Sequence, residues 1–132
     1  MRHSKKTLSV AALAFLAALM LFAYAAFAEK TVAGDKFVTV EVTDNSGSVT
    51  VYEVQSDAEF LIQVMEQAEG LTFAFTEGQY GASVHTVNGL RADYALDGAY
   101  WGFFVNEEYC NYGISQQPVE DGDRFQIIYT LA

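Results

Sequence analysis

The sequence is poor in cysteine, since Cys110 is the only one among its 132 residues. A single thiol cannot form an intrachain disulfide, so a domain of this chain that leaves the cell is held together by packing alone. Cys110 can be interpreted as a half-buried small apolar side chain. A thiol used for an intermolecular bridge or for contact with a ligand is the alternative, and the sequence leaves both open.

Residue patterns for catalysis are scarce as well. His85 is the only histidine besides His3, so a nucleophile–base pair would have to consist of Cys110 and His85. Nothing in the sequence indicates a third group that orients the base, and no phosphate-binding loop, zinc-ligand pair or serine elbow occurs. The sequence therefore predicts a protein that is not an enzyme and has no catalytic cofactor.

A metal site is not predicted either. Glu120, Asp121 and Asp123 form an acidic cluster, and calcium is conceivable there because hard cations bind several carboxylates. The acidic spacing of an EF-hand loop is missing, however, and Asp121-Gly122-Asp123 is the ordinary composition of a turn.

Basic residues are few, with seven Lys and Arg against seventeen Asp and Glu. Three of the seven lie within the first six residues. Residues 29–132 keep four basic and all seventeen acidic residues, which gives a formal charge of −13. A surface this acidic repels phosphate backbones and anionic membranes, so nucleic acid is excluded as a partner.

The N-terminus has the order of a secretory signal peptide. MRHSKK precedes an uncharged, mostly apolar stretch at 7–28, which ends in a small-x-small motif at 26–28. A second cleavage motif lies at 23–25, and the stretch is also long enough for an uncleaved membrane anchor. The sequence predicts a secreted or extracytoplasmic protein with a signal peptide at 1–28 and a single domain at 29–132.

A hairpin and a helix are predicted to open this domain. Alternating patterns at 37–42 and 49–54 indicate two strands around a turn at 44–48. A helix is predicted over 57–68, with Ser56 as its N-cap and Glu59 completing a capping box. Gly70 ends the helix. The apolar side chains at helical spacing are Leu61, Val64, Met65 and Ala68.

Only strand patterns follow the helix. They lie at 71–76, at 80–87 as an edge strand that ends at the turn pair Asn88-Gly89, at 100–106 and at 124–131. The order of two strands, a helix and several more strands is that of a β-grasp. The predicted fold class is α+β, with a mixed sheet packed on one helix.

The strand at 100–106 is the richest in aromatic residues. Alternation turns Trp101, Phe103 and Val105 toward the core and leaves Gly102 between two rings on the opposite face. A glycine inside a strand often marks the close approach of another group, so we predict a stacking surface for a planar ligand. Packing against the following loop or another protein is the alternative. The predicted ligand-binding residues are Tyr100, Phe104, Asn106, Tyr109 and Tyr112.

Two segments resemble the transcobalamin-like C-terminal domain family: YGASVHTVNGL at 80–90 and GAYWGFFVNEEYCNYGISQQPVEDGDRFQIIYT at 98–130. The resemblance implies a small β-grasp-like domain, which vertebrate cobalamin carriers use as the smaller lobe that closes over the vitamin. Bacterial relatives occur as exported or surface domains. In this family the position of Glu107 is usually Gly.

The resemblance names a corrinoid such as cobalamin as the ligand, bound by an exported domain without enzymatic activity. The alternative function is a structural or adhesion module at the cell surface, which contacts a protein partner through the edge of its sheet. The sequence leaves open whether a separate helical chain completes a ligand site.

Overall fold

The computed structural model describes residues 34–132. The predicted signal peptide at 1–28 lies outside this range. No helix within it is long and apolar enough to cross a bilayer. The elements in chain order are β1 (Lys36–Thr43), β2 (Val49–Ser56), α1 (Leu61–Gln67), β3 (Phe73–Gly78), β4 (Gly81–Val87), β5 (Leu90–Arg91), α2 (Tyr94–Asp97), β6 (Ala99–Val105), β7 (Glu108–Tyr109) and β8 (Arg124–Leu131).

Strands β1 and β2 form the predicted hairpin, an antiparallel pair in register from one end to the other. Its turn is held by Asp44, whose Oδ1 accepts hydrogen bonds from the backbone N–H groups of Ser46 and Ser48 and from the Ser46 hydroxyl. These bonds, above all the one from the Ser46 hydroxyl, lower the pKa of Asp44. The turn chemistry recognised in the sequence is thus what closes the hairpin.

The main sheet has the strand order β2-β1-β8-β6-β7. Strands β1 and β8 run parallel in its middle, whereas the other neighbours are antiparallel. A parallel pair needs a crossover connection, and every other element, from β2 to β7, lies between β1 and β8 in the chain. The predicted α+β fold with a mixed sheet and one main helix is therefore confirmed.

The core lies between the main sheet and α1. Leu61, Val64 and Met65 on the helix have no solvent-exposed surface, and Phe125 and Ile127 on β8 have none either. The predicted helical stripe therefore faces the sheet as expected.

The predicted start of the helix is wrong. Ser56 is the fully buried last residue of β2, and its Oγ accepts a hydrogen bond from the Ala58 N–H at 2.8 Å. The first helical residue is Leu61, whose N–H donates to the carbonyl of Gln117 at 2.9 Å. The segment between them stays extended because it bonds to the 117–119 loop, a contact distant in the sequence.

Gln63 supplies the capping that the sequence assigned to Ser56 and Glu59. Its Oε1 accepts hydrogen bonds from the backbone N–H groups of Glu59 and Phe60, both at 3.1 Å. At the other end, Gly70 has φ 87° and follows the helix as predicted. Only the N-terminal boundary differs from the prediction.

A second, three-stranded sheet has the order β3-β4-β5. The prediction that 80–87 is an edge strand is wrong, because the two-residue strand β5 folds back beside β4. The turn between them is the predicted pair, with Asn88 at φ 50° and Gly89 at φ 80°. Positive φ at both positions is the geometry for which Asn-Gly is favoured.

Trp101 is a core anchor as predicted. It is 6% exposed, its ring meets Tyr129 edge-on at 5.5 Å, and its Nε1 donates to the carbonyl of His85. Phe103 and Val105 pack against the same core. Alternation along β6 is therefore as the sequence predicts, and its other face is directed away from the helix.

Candidate functional site

The outward face of β6 carries a group of neighbouring rings, which we call the aromatic face: Tyr94, Tyr100, Phe104 and Tyr109. The rings of Phe104 and Tyr109 lie 4.3 Å apart between centroids, and those of Tyr94 and Tyr100 lie 6.5 Å apart. Tyr94 is 67% and Tyr109 61% exposed. Interaction with the neighbouring Tyr109 hydroxyl, the largest cause, raises the pKa of Tyr100. Three predicted site residues thus lie together on one surface.

Sequence reasoning missed Tyr94. It lies on the short helix α2, which Asp93 caps by accepting hydrogen bonds from the N–H groups of Ala95 and Leu96. Gly98 ends α2 in a left-handed conformation and leads directly into β6. The Asp93 and Gly98 signals flank the helix in the sequence and could have located it.

The space above Gly102 is already filled. A Cβ placed there would come within 3.2 Å of Thr130 Oγ1 and 3.3 Å of Phe104 Cε1. The group that approaches this glycine is therefore the ring of Phe104 in the same strand, not a ligand.

Asn106 anchors the β6–β7 turn. Its Nδ2 donates to Asp123 Oδ1 at 2.9 Å, and its Oδ1 accepts from the Arg124 N–H at 3.0 Å. Both polar groups of the side chain are thus engaged in joining β6 to the start of β8. The structure places Asn106 beside the aromatic face as a support for it.

Glu107 shares this turn, with φ 74° after φ 50° at Asn106. Positive φ at both central residues favours Asn-Gly, which accounts for the glycine expected at this position from the resemblance. The Glu107 carboxylate accepts a hydrogen bond from Arg124 Nη2 at 3.0 Å, and Arg124 Nη1 lies 3.2 Å from Glu41. The Glu107 side chain is 79% exposed, so its ion pair with Arg124 contributes little stability.

Next to the aromatic face lies an open cavity of about 290 Å³, which we call the acidic cleft. It has three carboxylates and no Lys or Arg in its lining. The predicted site residues divide between the two surfaces: Tyr100 and Phe104 belong to the aromatic face, Asn106 and Tyr112 to the cleft, and Tyr109 to both. The lining residues of the cleft are Val105, Asn106, Glu108, Tyr109, Asn111, Tyr112, Gln117, Pro118, Glu120 and Asp123.

Cys110 and His85 have separate environments. Burial, with a smaller contribution from the charge of Asp123, raises the pKa of the Cys110 thiol to about 11. His85 Nδ1 lies 2.7 Å from the Thr86 hydroxyl and 3.4 Å from Arg91 Nη1. A thiol with so high a pKa is a poor nucleophile at neutral pH. Across residues 34–132, no group of three or more His, Cys, Asp or Glu side chains is placed to hold a metal ion.

Fold and surface together define a small α+β domain that presents aromatic rings beside an acidic cleft. The chain belongs to the family described as a domain of unknown function, DUF4430, whose match covers residues 58–130. No curated protein matches the chain.

Two solved structures have a similar fold. A protein from Ruminococcus gnavus ATCC 29149, provisionally described as metal-binding, is 30% identical with a TM-score of 0.68; the match covers 74% of this chain and 99% of that chain. Haptocorrin in complex with Cbi is 22% identical with a TM-score of 0.60. That match covers 73% of this chain and 25% of haptocorrin, and it supports a transcobalamin-like fold.

Proposed function

We propose that this protein is an exported, non-enzymatic binding domain that takes a planar small molecule on its aromatic face. The observation that carries the proposal is the exposure of Tyr94 on α2 and Tyr109 on β7, beside the rings of Tyr100 and Phe104 on β6. Exposed tyrosines fixed by a sheet provide contact area with little loss of side-chain entropy on binding.

A corrinoid is the planar ligand that we propose, and we propose with it that the chain is a member of the transcobalamin-like C-terminal domain family. The resemblance of 80–130 to that family supports the assignment, as does the fold shared with haptocorrin, whose solved complex contains Cbi. This chain spans about a quarter of haptocorrin, so the aromatic face supplies only part of the contact area of such a complex. We therefore expect micromolar to millimolar affinity from this domain alone.

Fluorescence titration with cobinamide and cobalamin tests the proposal. Trp101 is the only tryptophan, and although its ring faces the core it lies on the same strand as Tyr100 and Phe104. A coloured ligand bound on the opposite face of this strand should therefore lower its emission by energy transfer. The Tyr109→Leu variant should weaken binding about tenfold, since base–aromatic stacking contributes roughly 1–3 kcal/mol in comparable sites. Phe37→Leu is the matched control, because Phe37 is 63% exposed but borders β2 instead. Unchanged emission up to roughly millimolar ligand would reject the corrinoid.

A second candidate function, an adhesion module at the cell surface, is favoured by strand β2. This strand is at the edge of the main sheet, and Val49 and Val51 are 53% and 55% exposed along it. An uncovered edge can pair with a strand of another protein. One protein that co-purifies from the native envelope in equal amount, and is lost with Val51→Lys, would favour this function over the first.

Export is the remaining part of the proposal. The pattern at 1–28 supports it, because a basic start and an apolar stretch precede a small-x-small motif. Mass spectrometry of the N-terminus of the exported protein distinguishes cleavage after residue 28 from an uncleaved anchor.

A further inference from the structure

Gln117 is a buried side chain with an unused hydrogen-bond acceptor. It is 7% exposed, and its Nε2 donates to the carbonyl of Pro118 at 3.3 Å. Its Oε1 has no hydrogen-bond donor within residues 34–132. Buried polar atoms are almost always paired, so an unpaired one calls for a specific explanation. Gln117 is also one of the residues that line the acidic cleft.

The charges of the cleft determine what kind of donor fits there. Asp123 already accepts hydrogen bonds at both oxygens, from Asn106 Nδ2 and from the Glu120 N–H. The carboxylates of Glu108 and Glu120 form no ion pair within the part of the chain that the structure describes. Because no basic residue lines the cleft, a positively charged group is favoured over a neutral donor.

The walls of the cleft suit an organic cation. Tyr109 and Tyr112 are 61% and 56% exposed at its side, and the face of a tyrosine ring attracts an ammonium group. The cleft fits a metal ion less well than an organic cation, because no three His, Cys, Asp or Glu side chains among residues 34–132 are placed to bind one. A volume of about 290 Å³ admits a small ligand or one substituent of a larger one.

We propose that the acidic cleft binds an organic ammonium group: the Gln117 side chain turns toward the cleft so that its Oε1 accepts a hydrogen bond from the ammonium N–H, Glu108 and Glu120 balance the charge, and Tyr112 contacts the group. This site shares Tyr109 with the aromatic face but is otherwise distinct from it, because Gln117, Glu120 and Tyr112 do not belong to the aromatic face. It requires a ligand that is both a cation and a hydrogen-bond donor.

Three probes of nearly equal shape separate these requirements: benzylammonium, benzyltrimethylammonium and benzyl alcohol. The first is a cation with N–H donors, the second a cation without them, and the third a neutral donor. Titrations of the whole exported protein, followed by amide NMR shifts around the cleft, should show benzylammonium binding at least tenfold more tightly than either of the others. Equal affinities for the three probes would overturn the proposal, as would shifts caused by Ca²⁺ at lower concentration than by benzylammonium.

Variants test the role of Gln117. Gln117→Met keeps the shape but removes the unpaired oxygen, so it should lower benzylammonium affinity at least tenfold while the Tm stays at or above that of the parent. The matched control is Gln116→Met, because Gln116 is exposed and outside the cleft lining. Retained affinity in Gln117→Met contradicts the proposal. If this variant does not fold, Glu120→Gln tests the charge requirement of the cleft: it should also lower benzylammonium affinity, and unchanged affinity contradicts the proposal. The affinity for cobinamide should be unchanged in Gln117→Met and in Glu120→Gln, which distinguishes the cleft from the corrinoid site.

Discussion

Asn106 lies between the aromatic face and the acidic cleft. Its side chain links the end of β6 to Asp123 and Arg124 at the start of β8, and its backbone takes φ 50°. Asp123 is 9% exposed and needs its donors, because a buried carboxylate without hydrogen bonds is costly. The position of Tyr109 against Phe104 depends on this turn, since β6 pairs with β7 directly beyond it.

Replacing Asn106 with Ala should lower the free energy of unfolding by about 2–3 kcal/mol, because two hydrogen bonds are lost and a left-handed conformation is imposed on Ala. Urea denaturation of the two proteins measures the difference. Asn106→Gly is the control: it loses the same hydrogen bonds without the backbone strain, so it should be destabilised by about 1 kcal/mol less. If the Ala and Gly variants prove equally stable, the backbone contribution is refuted.

Cys110 should react slowly with iodoacetamide. With a pKa of about 11 against an ordinary 9, the ionised fraction at pH 8 is about 100-fold smaller, and the alkylation rate falls nearly in proportion. The rate should rise until about pH 11. Protein unfolded in urea is the control and should react at the rate of an ordinary thiol. Equal rates in the folded and unfolded protein would contradict the burial of this thiol.

The raised pKa of Cys110 makes the folded protein less stable at high pH. The folded state keeps the Cys110 proton where the unfolded state loses it. The contribution of the protonated Cys110 thiol to the free energy of unfolding is therefore complete below pH 9, and it disappears as the pH rises to about 11. A Cys110→Ser variant should show a weaker loss of stability over this interval.

Helix α1 depends on a side chain within its own first turn. Gln63→Met removes the acceptor for the N–H groups of Glu59 and Phe60, and losing such a cap costs about 1 kcal/mol. Thermal unfolding measures it as a lower Tm. Glu66→Met is the matched control, since Glu66 is an exposed residue on the same helix and should change stability by less than about 0.5 kcal/mol. Equal Tm values for the two variants would show that Gln63 does not cap the helix.

Local patterns predicted the elements well where the contacts are local. The turn at Asp44, the stripe from Leu61 to Ala68 and the inward direction of Trp101 follow from residues within a few positions of each other. The start of α1 could not be predicted in this way, because Leu61 bonds to Gln117 across the fold. The central place of β4 could not be predicted either. It depends on strand β5, whose two residues give almost no strand pattern in the sequence.

The candidate site was predictable only in part for the same reason. Alternation identified the outward direction of Tyr100 and Phe104, but spacing alone could not reveal that the Phe104 ring covers Gly102. The unpaired oxygen of Gln117 is also invisible in the sequence, since it depends on which donors the fold brings near. A sequence therefore indicates which rings face outward more readily than which polar atoms lack partners.

The charge of the whole domain is strongly unbalanced. Residues 34–132 contain three basic and sixteen acidic residues. The basic ones are already engaged: Arg124 pairs with Glu41 and Glu107, Arg91 lies 3.9 Å from Asp93, and the Lys36 ammonium donates to a backbone carbonyl. Most carboxylates thus repel one another in the compact state.

Added salt should therefore stabilise this protein, because screening weakens repulsion between carboxylates more than it weakens the few ion pairs. We expect the Tm to rise between about 0.02 and 0.5 M NaCl, over which the screening length falls from about 20 Å to about 4 Å. A variant carrying both Glu66→Gln and Glu77→Gln is the control: both residues are exposed, so the variant should start from a higher Tm at low salt and gain less from NaCl. A Tm that falls with NaCl would mean that the three ion pairs outweigh the repulsion among sixteen acids.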